Sequence, residues 1–242
     1  MRDRSANHSR LHAPVLILLI AAAPALAQAE KTPKAEAEHR WAEAMRFIDL
    51  QQTADALAAM DHIIELKALH PRLELPRRFW VVHAATAEVE GQHDVAVASA
   101  QRYVNQPQAN SSDHYVFAIG LVSDAYVEAA RQAAGDREIY ALRKRDEPVD
   151  GLEPPVRRNP YSVAPRRTGQ ALAAGVYGAV VVGYIVDEHG RVENPVVLQD
   201  PGYGLATEVV RSIKRHKYRP ATLHGEPVAT FRFLTMNFPP MP

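Results

Sequence analysis

The chain contains no cysteine among its 242 residues. This excludes a disulfide framework, a cysteine nucleophile and a lipid attached to an N-terminal cysteine. The sequence also lacks Gly-x-Ser-x-Gly, His-Glu-x-x-His and any glycine-rich phosphate loop followed by Lys and Ser or Thr. We therefore predict that the protein is not an enzyme, has no catalytic residue and needs no cofactor.

Neither sign of charge dominates. Lys plus Arg and Asp plus Glu each number 28, so the formal net charge is zero. Proteins that bind nucleic acids usually carry a basic surface, and this balance indicates no nucleic-acid partner. The 47% hydrophobic and 23% charged residues are typical of a folded protein, and the length fits two domains.

The histidines do not form a metal-binding pattern. Although imidazole is a common metal ligand, no two of the histidines in the helical part lie four residues apart. They are spread over separate predicted helices and turns: His39, His62, His70, His83, His93 and His114. We predict no metal site.

The chain has no long hydrophobic run. The apolar stretch from Ala13 to Ala25 is shorter than the roughly 20 residues that a membrane-spanning helix needs. Arg2, Arg4 and Arg10 precede it and small residues follow it, which is typical of a secretory signal peptide. We predict that residues 1–27 are a signal peptide, cleaved after Ala27 or Ala29, and that the protein is periplasmic, with inner-membrane anchoring as the alternative.

Residues 34–146 are predicted to form a helical domain, because apolar residues recur there at helical spacing. Four such sets occur: Trp41, Met45 and Ile48; Leu57, Met60 and Ile64; Phe79, Val82 and Thr86; and Val97, Ala100 and Val104. A fifth helix is predicted from Ser112 or Asp113 to about Ala134. We expect it to be buried, because it is apolar nearly all round from Val116 to Val122.

The helices resemble tetratricopeptide hairpins. Pro71 and Pro107 end the second and fourth helices, and their separation of 36 positions is close to the tetratricopeptide period. The second pair, Phe79 to Val104 with Gly91 between its helices, fits the repeat best. A plain helical bundle is the alternative, and both arrangements favour a surface that binds proteins or peptides.

Residues 147–175 are predicted to be a proline-rich linker with some polyproline character. Its prolines are Pro148, Pro154, Pro155, Pro160 and Pro165. Fully extended, such a segment would span several tens of ångströms at roughly 3 Å per residue.

The last quarter of the chain shows an ordered series of elements. A strand is predicted from Gly178 to Asp187, a turn at Gly190, and a second strand from Arg191 to Gln199. The first strand is apolar on both faces, so we expect cover on both. Pro195 cannot donate to a central ladder, which indicates an outer strand or a bulge.

A one-faced helix follows from Leu205, with Val209 and Ile213 on its apolar side, and ends near Lys217. The residues after it form a short motif and a turn: Tyr218, Arg219, Pro220 and Ala221, then Gly225 and Pro227. A final strand is predicted from Thr230 to Phe238.

This order resembles the C-terminal domain of the TonB family, which we assign to residues 176–242. The fold class is therefore expected to be α+β, with N-terminal tetratricopeptide-like helical hairpins and a C-terminal ββαβ domain. The family usually has an aromatic residue at the position of His216. Together with Gly190, the motif residues named above are expected to be structural.

The resemblance implies a protein-binding function. TonB proteins are energy transducers that pass inner-membrane energy to outer-membrane receptors, supporting transmembrane transport. The partner adds a strand to the last strand of the domain, so the implied partner-binding residues are Thr230, Phe231, Arg232, Phe233, Leu234, Thr235, Met236, Asn237 and Phe238. A proline at Arg232 or Leu234 is then expected to abolish binding.

The chain departs from the family's energy transducers, which keep an uncleaved N-terminal helix and a long proline-rich spacer. The alternative function is a periplasmic tetratricopeptide-type scaffold, in which the helical domain captures the partner and the TonB-like domain only docks or forms a homodimer.

Overall fold

The computed structural model of the protein describes residues 32–106, 113–141, 149–158 and 164–240. The predicted signal peptide, residues 1–27, lies outside these ranges. Within them, no helix is both long enough and apolar enough to cross a membrane.

Five helices make up the N-terminal part: α1 (Pro33–Asp49), α2 (Thr53–Leu69), α3 (Phe79–Val89), α4 (His93–Val104) and α5 (Asp113–Ala134). The hydroxyl of Thr32 caps α1 by accepting a hydrogen bond from the amide of Ala35 at 3.3 Å. Tight turns at Gln51 (φ 59°) and Gly91 (φ 70°) join α1 to α2 and α3 to α4. The first two pairs are therefore helical hairpins, as predicted.

The hairpins pack on each other through an apolar core that includes Met60, Ile63 and Phe79, all fully buried. The prediction that α5 is buried is only half right. Its residues Ala118 and Val122 are buried, whereas Val116 is 67% and Phe117 38% exposed. One side of α5 packs against α3, α4 and the sheet, and the other side is exposed at Val116 and partly exposed at Phe117.

The C-terminal part is a mainly antiparallel sheet with two further helices. Its strands are β1 (Ile139–Ala141), β2 (Leu152–Glu153), β3 (Val156–Arg157), β4 (Gly178–Val186), β5 (Val192–Gln199), β6 (Tyr218–Arg219), β7 (Ala221–Leu223) and β8 (Glu226–Phe238). The helices are α6 (Gly169–Ala173) and α7 (Leu205–Ile213). The strand order is β2-β7-β8-β4-β5, with β1 parallel to β8, and β3 and β6 form a separate ribbon.

The β4–β5 hairpin follows the prediction closely. Gly190 has φ +78°, and a Cβ there would lie 1.9 Å from the carbonyl oxygen of Tyr218. Both the positive φ and the close approach require glycine. β5, which contains Pro195, is an edge strand, and its register with β4 shifts near Asn194, where φ is 44°.

Both faces of β4 are covered, as its sequence indicates. Val180 and Val182 face a core formed with α7, while Val181 and Ile185 face a core formed with α3, α4 and α5. Gly183 allows the ring of Tyr126 to lie against the strand, since a Cβ there would lie 2.8 Å from that ring. The helical part and the sheet therefore share one hydrophobic core.

The described part of residues 147–175 is not one extended spacer. It includes β2, β3 and α6, and β2 pairs with β7 at the margin of the sheet. Because the regions before and after it are in direct contact, this segment does not hold them apart.

Candidate functional site

The last strand, β8, is paired along its inner side. Every residue from Thr230 to Phe238 has an antiparallel partner on β4, from Val186 opposite Thr230 to Gly178 opposite Phe238. β4 and β8 form the centre of the sheet, and the position of β8 is therefore fixed.

The outer side of β8 is only partly occupied. β7 pairs with the stretch from Glu226 to Val228, and β1 runs parallel to Ala229, Thr230 and Phe231. From Arg232 to Phe238, no strand pairs with the outer side in the described ranges. We call the outer side of Arg232–Phe238 the open edge.

The open edge is shorter than the sequence predicted. Thr230 and Phe231 have strand partners on both sides, so neither belongs to the open edge. The strand that covers them, β1, is three residues long and lies about ninety positions earlier in the chain, at the end of the helical part. No local pattern near Thr230 could have revealed it.

Side chains of the open edge alternate between the two faces of the sheet. Leu234, Met236 and Phe238 pack in the core with α7. Phe233 packs on the opposite face, where its ring centroid lies 5.9 Å from that of Tyr126 at an interplanar angle of 80°. Since these apolar side chains anchor the strand, its outer main chain is held in place without a further strand.

Arg232 begins the open edge on the face of α7, opposite Tyr184 on β4. The hydroxyl of Tyr184 lies 2.8 Å from that of Tyr218, and burial raises the pKa of Tyr184. The Arg232 guanidinium interacts with the Tyr184 hydroxyl, while its Nε atom is buried without a hydrogen-bond partner. A guanidinium that has no carboxylate partner among the described residues therefore lies at the start of the open edge.

The predicted motif residues lie away from the open edge. Tyr218 and Arg219 form β6, Pro220 separates it from β7, and Ala221 begins β7. The turn between β7 and β8 contains Gly225 with φ +91°, and Pro227 lies opposite Thr222. Their positions suit a structural role.

His216 is buried beside Tyr218, and burial together with the charge of Arg157 lowers its pKa.

A serine, a histidine and an aspartate form a chain of hydrogen bonds in the helical part. Ser99 Oγ lies 2.9 Å from His83 Nδ1, and His83 Nε2 lies 2.9 Å from Asp61 Oδ1. Ser99 is 2% and His83 1% exposed, so no substrate can reach the serine oxygen. No sequence pattern indicates this network, because its members lie on three different helices and match no hydrolase motif. Among the described residues, no group of three or more His, Asp or Glu side chains is arranged to hold a metal ion.

An apolar cavity of about 430 Å³ opens between α1, α3 and α5. Its lining includes the apolar residues Ile48, Val82, Val89 and Phe117 and the polar residues Asp113 and His114. Val89 and Phe117 are among the exposed large apolar residues of the chain. This cavity is a second candidate binding surface in the described part of the chain.

Residues 169–239 match the family model described as the Gram-negative bacterial TonB protein C-terminal region, TonB_C. This part of the chain is therefore a TonB C-terminal domain, a class of non-enzymatic, protein-interacting domain. A solution NMR structure of the Pseudomonas aeruginosa TonB C-terminal domain matches at 20% identity over 42% of this chain and 95% of that chain, with a TM-score of 0.29. No curated protein matches the chain.

Proposed function

We propose that the protein binds other proteins of the cell envelope by accepting an extended segment of the partner at the open edge of β8. One observation carries this proposal: the inner side of Arg232–Phe238 is fully paired, and the outer side has no strand in the described chain. An unpaired edge presents main-chain donors and acceptors that a peptide can complete as an added strand.

The open edge has a defined size and a defined start. Seven residues at about 3.3 Å each give a length of roughly 23 Å. β1 and β7 already cover the preceding positions, so an added strand must begin opposite Arg232. The helical region thus sets the limit of the site, although it lies outside the family domain.

The family match supports a periplasmic location and a role with outer-membrane transport proteins, and the partners we propose are TonB-dependent receptors. On this proposal the signal peptide of residues 1–27 is removed and the protein acts in the periplasm without direct contact with an inner-membrane motor. N-terminal sequencing of protein recovered from the cell envelope tests this: Gln28 or Glu30 as the first residue supports it, and an intact Met1 contradicts it.

The strand-addition test uses the full chain and a fluorescein-labelled heptapeptide of alternating Val and Thr with blocked ends. We expect this peptide to bind, and N-methylation of its alternate amides to abolish binding, because a methylated amide cannot donate to the edge. Binding should slow hydrogen exchange at outward-facing amides of Arg232–Phe238 but not along β5. Binding that is unaffected by N-methylation of either alternate set contradicts strand addition.

Proline substitutions test the same site from the protein side. Successive N–H groups along a strand point to opposite sides, so one of Phe233→Pro and Leu234→Pro removes an outward donor and the other a bond to β4. We expect the variant with wild-type thermal stability to lose peptide binding. If it binds as the wild type does, the open edge is not the site.

The apolar cavity between α1, α3 and α5 favours a second function, that of a tetratricopeptide-like scaffold whose helices capture the partner. Its volume of about 430 Å³ falls within the range of ligand sites. Cutting the chain between the two regions would expose the shared core, so point variants are the appropriate test. Loss of partner binding in Phe117→Lys, with normal binding in the edge variant, supports the scaffold function.

A further inference from the structure

Three arginines border the open edge, and none forms a salt bridge with a carboxylate of the described chain. Arg131 and Arg232 lie at its start and Arg167 at its end. Between them the strand residues from Phe233 to Phe238 carry no charge. Within the described ranges, the charge that borders the open edge is therefore positive.

Arg131 comes from the helical region. It is exposed on α5, and its guanidinium lies 5.8 Å from the ring centroid of Phe231, the last residue that β1 covers. The contact places a cation on one face of the sheet where an added strand would begin.

Arg232 supplies a cation on the opposite face at the same end. It is half-buried, and its buried Nε has no hydrogen-bond partner. An arginine donor that is buried without a partner carries a desolvation cost, which a carboxylate brought by the added strand would remove.

Arg167 lies at the other end of the open edge, beside Phe238. Its guanidinium lies 5.9 Å from the ring centroid of Phe238. It donates hydrogen bonds to the carbonyl oxygens of Val176, at 3.3 Å, and Pro239. Both acceptors are neutral, so these bonds hold the side chain in place and leave its charge available to a partner.

We infer that the open edge selects an acidic extended segment, with one carboxylate meeting Arg232 or Arg131 at the start and another meeting Arg167 at the end. The inference rests on the proposed strand addition and adds the chemistry of the partner. Main-chain bonds give binding to any extended peptide, and the arginines discriminate between sequences. Arg232 is the principal specificity-determining residue, because its unpaired donor lies on the strand itself.

The test compares two labelled heptapeptides with blocked ends, one with Asp at both ends of a Val and Thr core and one with Asn in the same places. The readout is fluorescence anisotropy with the full chain. We expect the Asp peptide to bind about 10-fold more tightly at low ionic strength, since charge-assisted hydrogen bonds are stronger than neutral ones. The ratio should fall as salt is added.

Arg232→Gln should reduce the ratio of the two affinities to about 2-fold, because only the flanking arginines then remain. Arg191→Gln is the matched control, since Arg191 is an exposed arginine in the β4–β5 turn, away from the open edge, and should leave the ratio unchanged. If Arg232→Gln fails to fold, Arg131→Gln on the surface of α5 replaces it.

The outcomes separate the two proposals. Equal affinity of the Asp and Asn peptides for the wild type overturns acidic selection and leaves strand addition intact. An unchanged ratio in Arg232→Gln overturns the role of that residue. Acidic preference that is unaffected by N-methylation of the peptide overturns strand addition itself, because main-chain pairing is then not needed.

Discussion

The guanidinium group of Arg137 donates two hydrogen bonds to the carboxylate of Glu188, at 3.0 Å and 2.7 Å. A further bond to Glu193 measures 2.8 Å. Arg137 follows α5, whereas Glu188 lies in the turn between β4 and β5. The ion pair of Arg137 and Glu188 joins the end of the helical region to the sheet, two residues before β1 begins beside β8.

Arg137→Gln is expected to lower the free energy of unfolding by about 1 kcal/mol, because a partly exposed but bidentate pair is lost. Urea unfolding measures the change. Arg211→Gln is the control, since Arg211 pairs with Glu208 at an exposed i, i+3 position on α7 and should change stability little.

The effect of Arg137→Gln on stability is predicted to depend on pH. The hydrogen bond from Arg137 lowers the pKa of Glu188. A carboxylate whose pKa is lowered by folding stabilises the protein above its unfolded pKa of about 4.3, and this contribution is lost as the pH falls through the folded value. The stability difference between wild type and Arg137→Gln should therefore shrink below about pH 4; a constant difference contradicts the pairing.

Which parts of the fold can be predicted depends on how far apart in the sequence the interacting residues lie. The β4–β5 hairpin and α7 follow from local patterns: alternation around Val182, a turn at Gly190, and the spacing of Val209 and Ile213. The pairing of Ile139 with Ala229 has no local signal, since it joins distant segments through only three residues. The sequence alone therefore could not predict that the open edge begins at Arg232, because this start is set by a tertiary contact.

The shared core leads to a prediction for Tyr126. Its ring packs edge-on against Phe231, with centroids 5.8 Å apart, and its hydroxyl is buried without a partner. Tyr126→Phe keeps the ring contacts and removes the unpaired hydroxyl, so stability should rise by about 1 kcal/mol. Thermal unfolding measures this. A loss of more than about 1 kcal/mol would show that the hydroxyl has a hydrogen-bond partner in solution.

His216 occupies the position where the resemblance predicts an aromatic residue, and its ring lies edge-on to Tyr218 with centroids 6.3 Å apart. Its pKa is lowered by burial, so the folded protein binds this proton less readily than the unfolded chain. Stability should fall as the pH drops below the unfolded value of about 6.5. His216→Phe should keep the fold and reduce this loss between about pH 6.5 and 5. Identical pH profiles of urea stability for the two proteins would contradict it.

The hydrogen-bond chain formed by Ser99, His83 and Asp61 is predicted to have a structural role, and this can be tested. If His83 Nε2–H donates to Asp61, Nδ1 accepts from the Ser99 hydroxyl, and Ser99→Ala leaves this buried nitrogen unpaired. We expect a loss of about 1–3 kcal/mol in urea unfolding. A fluorophosphonate probe, with a known serine hydrolase as the positive control, should not label the folded wild type, because Ser99 is enclosed. Labelling of the wild type that disappears in Ser99→Ala would mean that the network opens to solvent and that the serine is reactive.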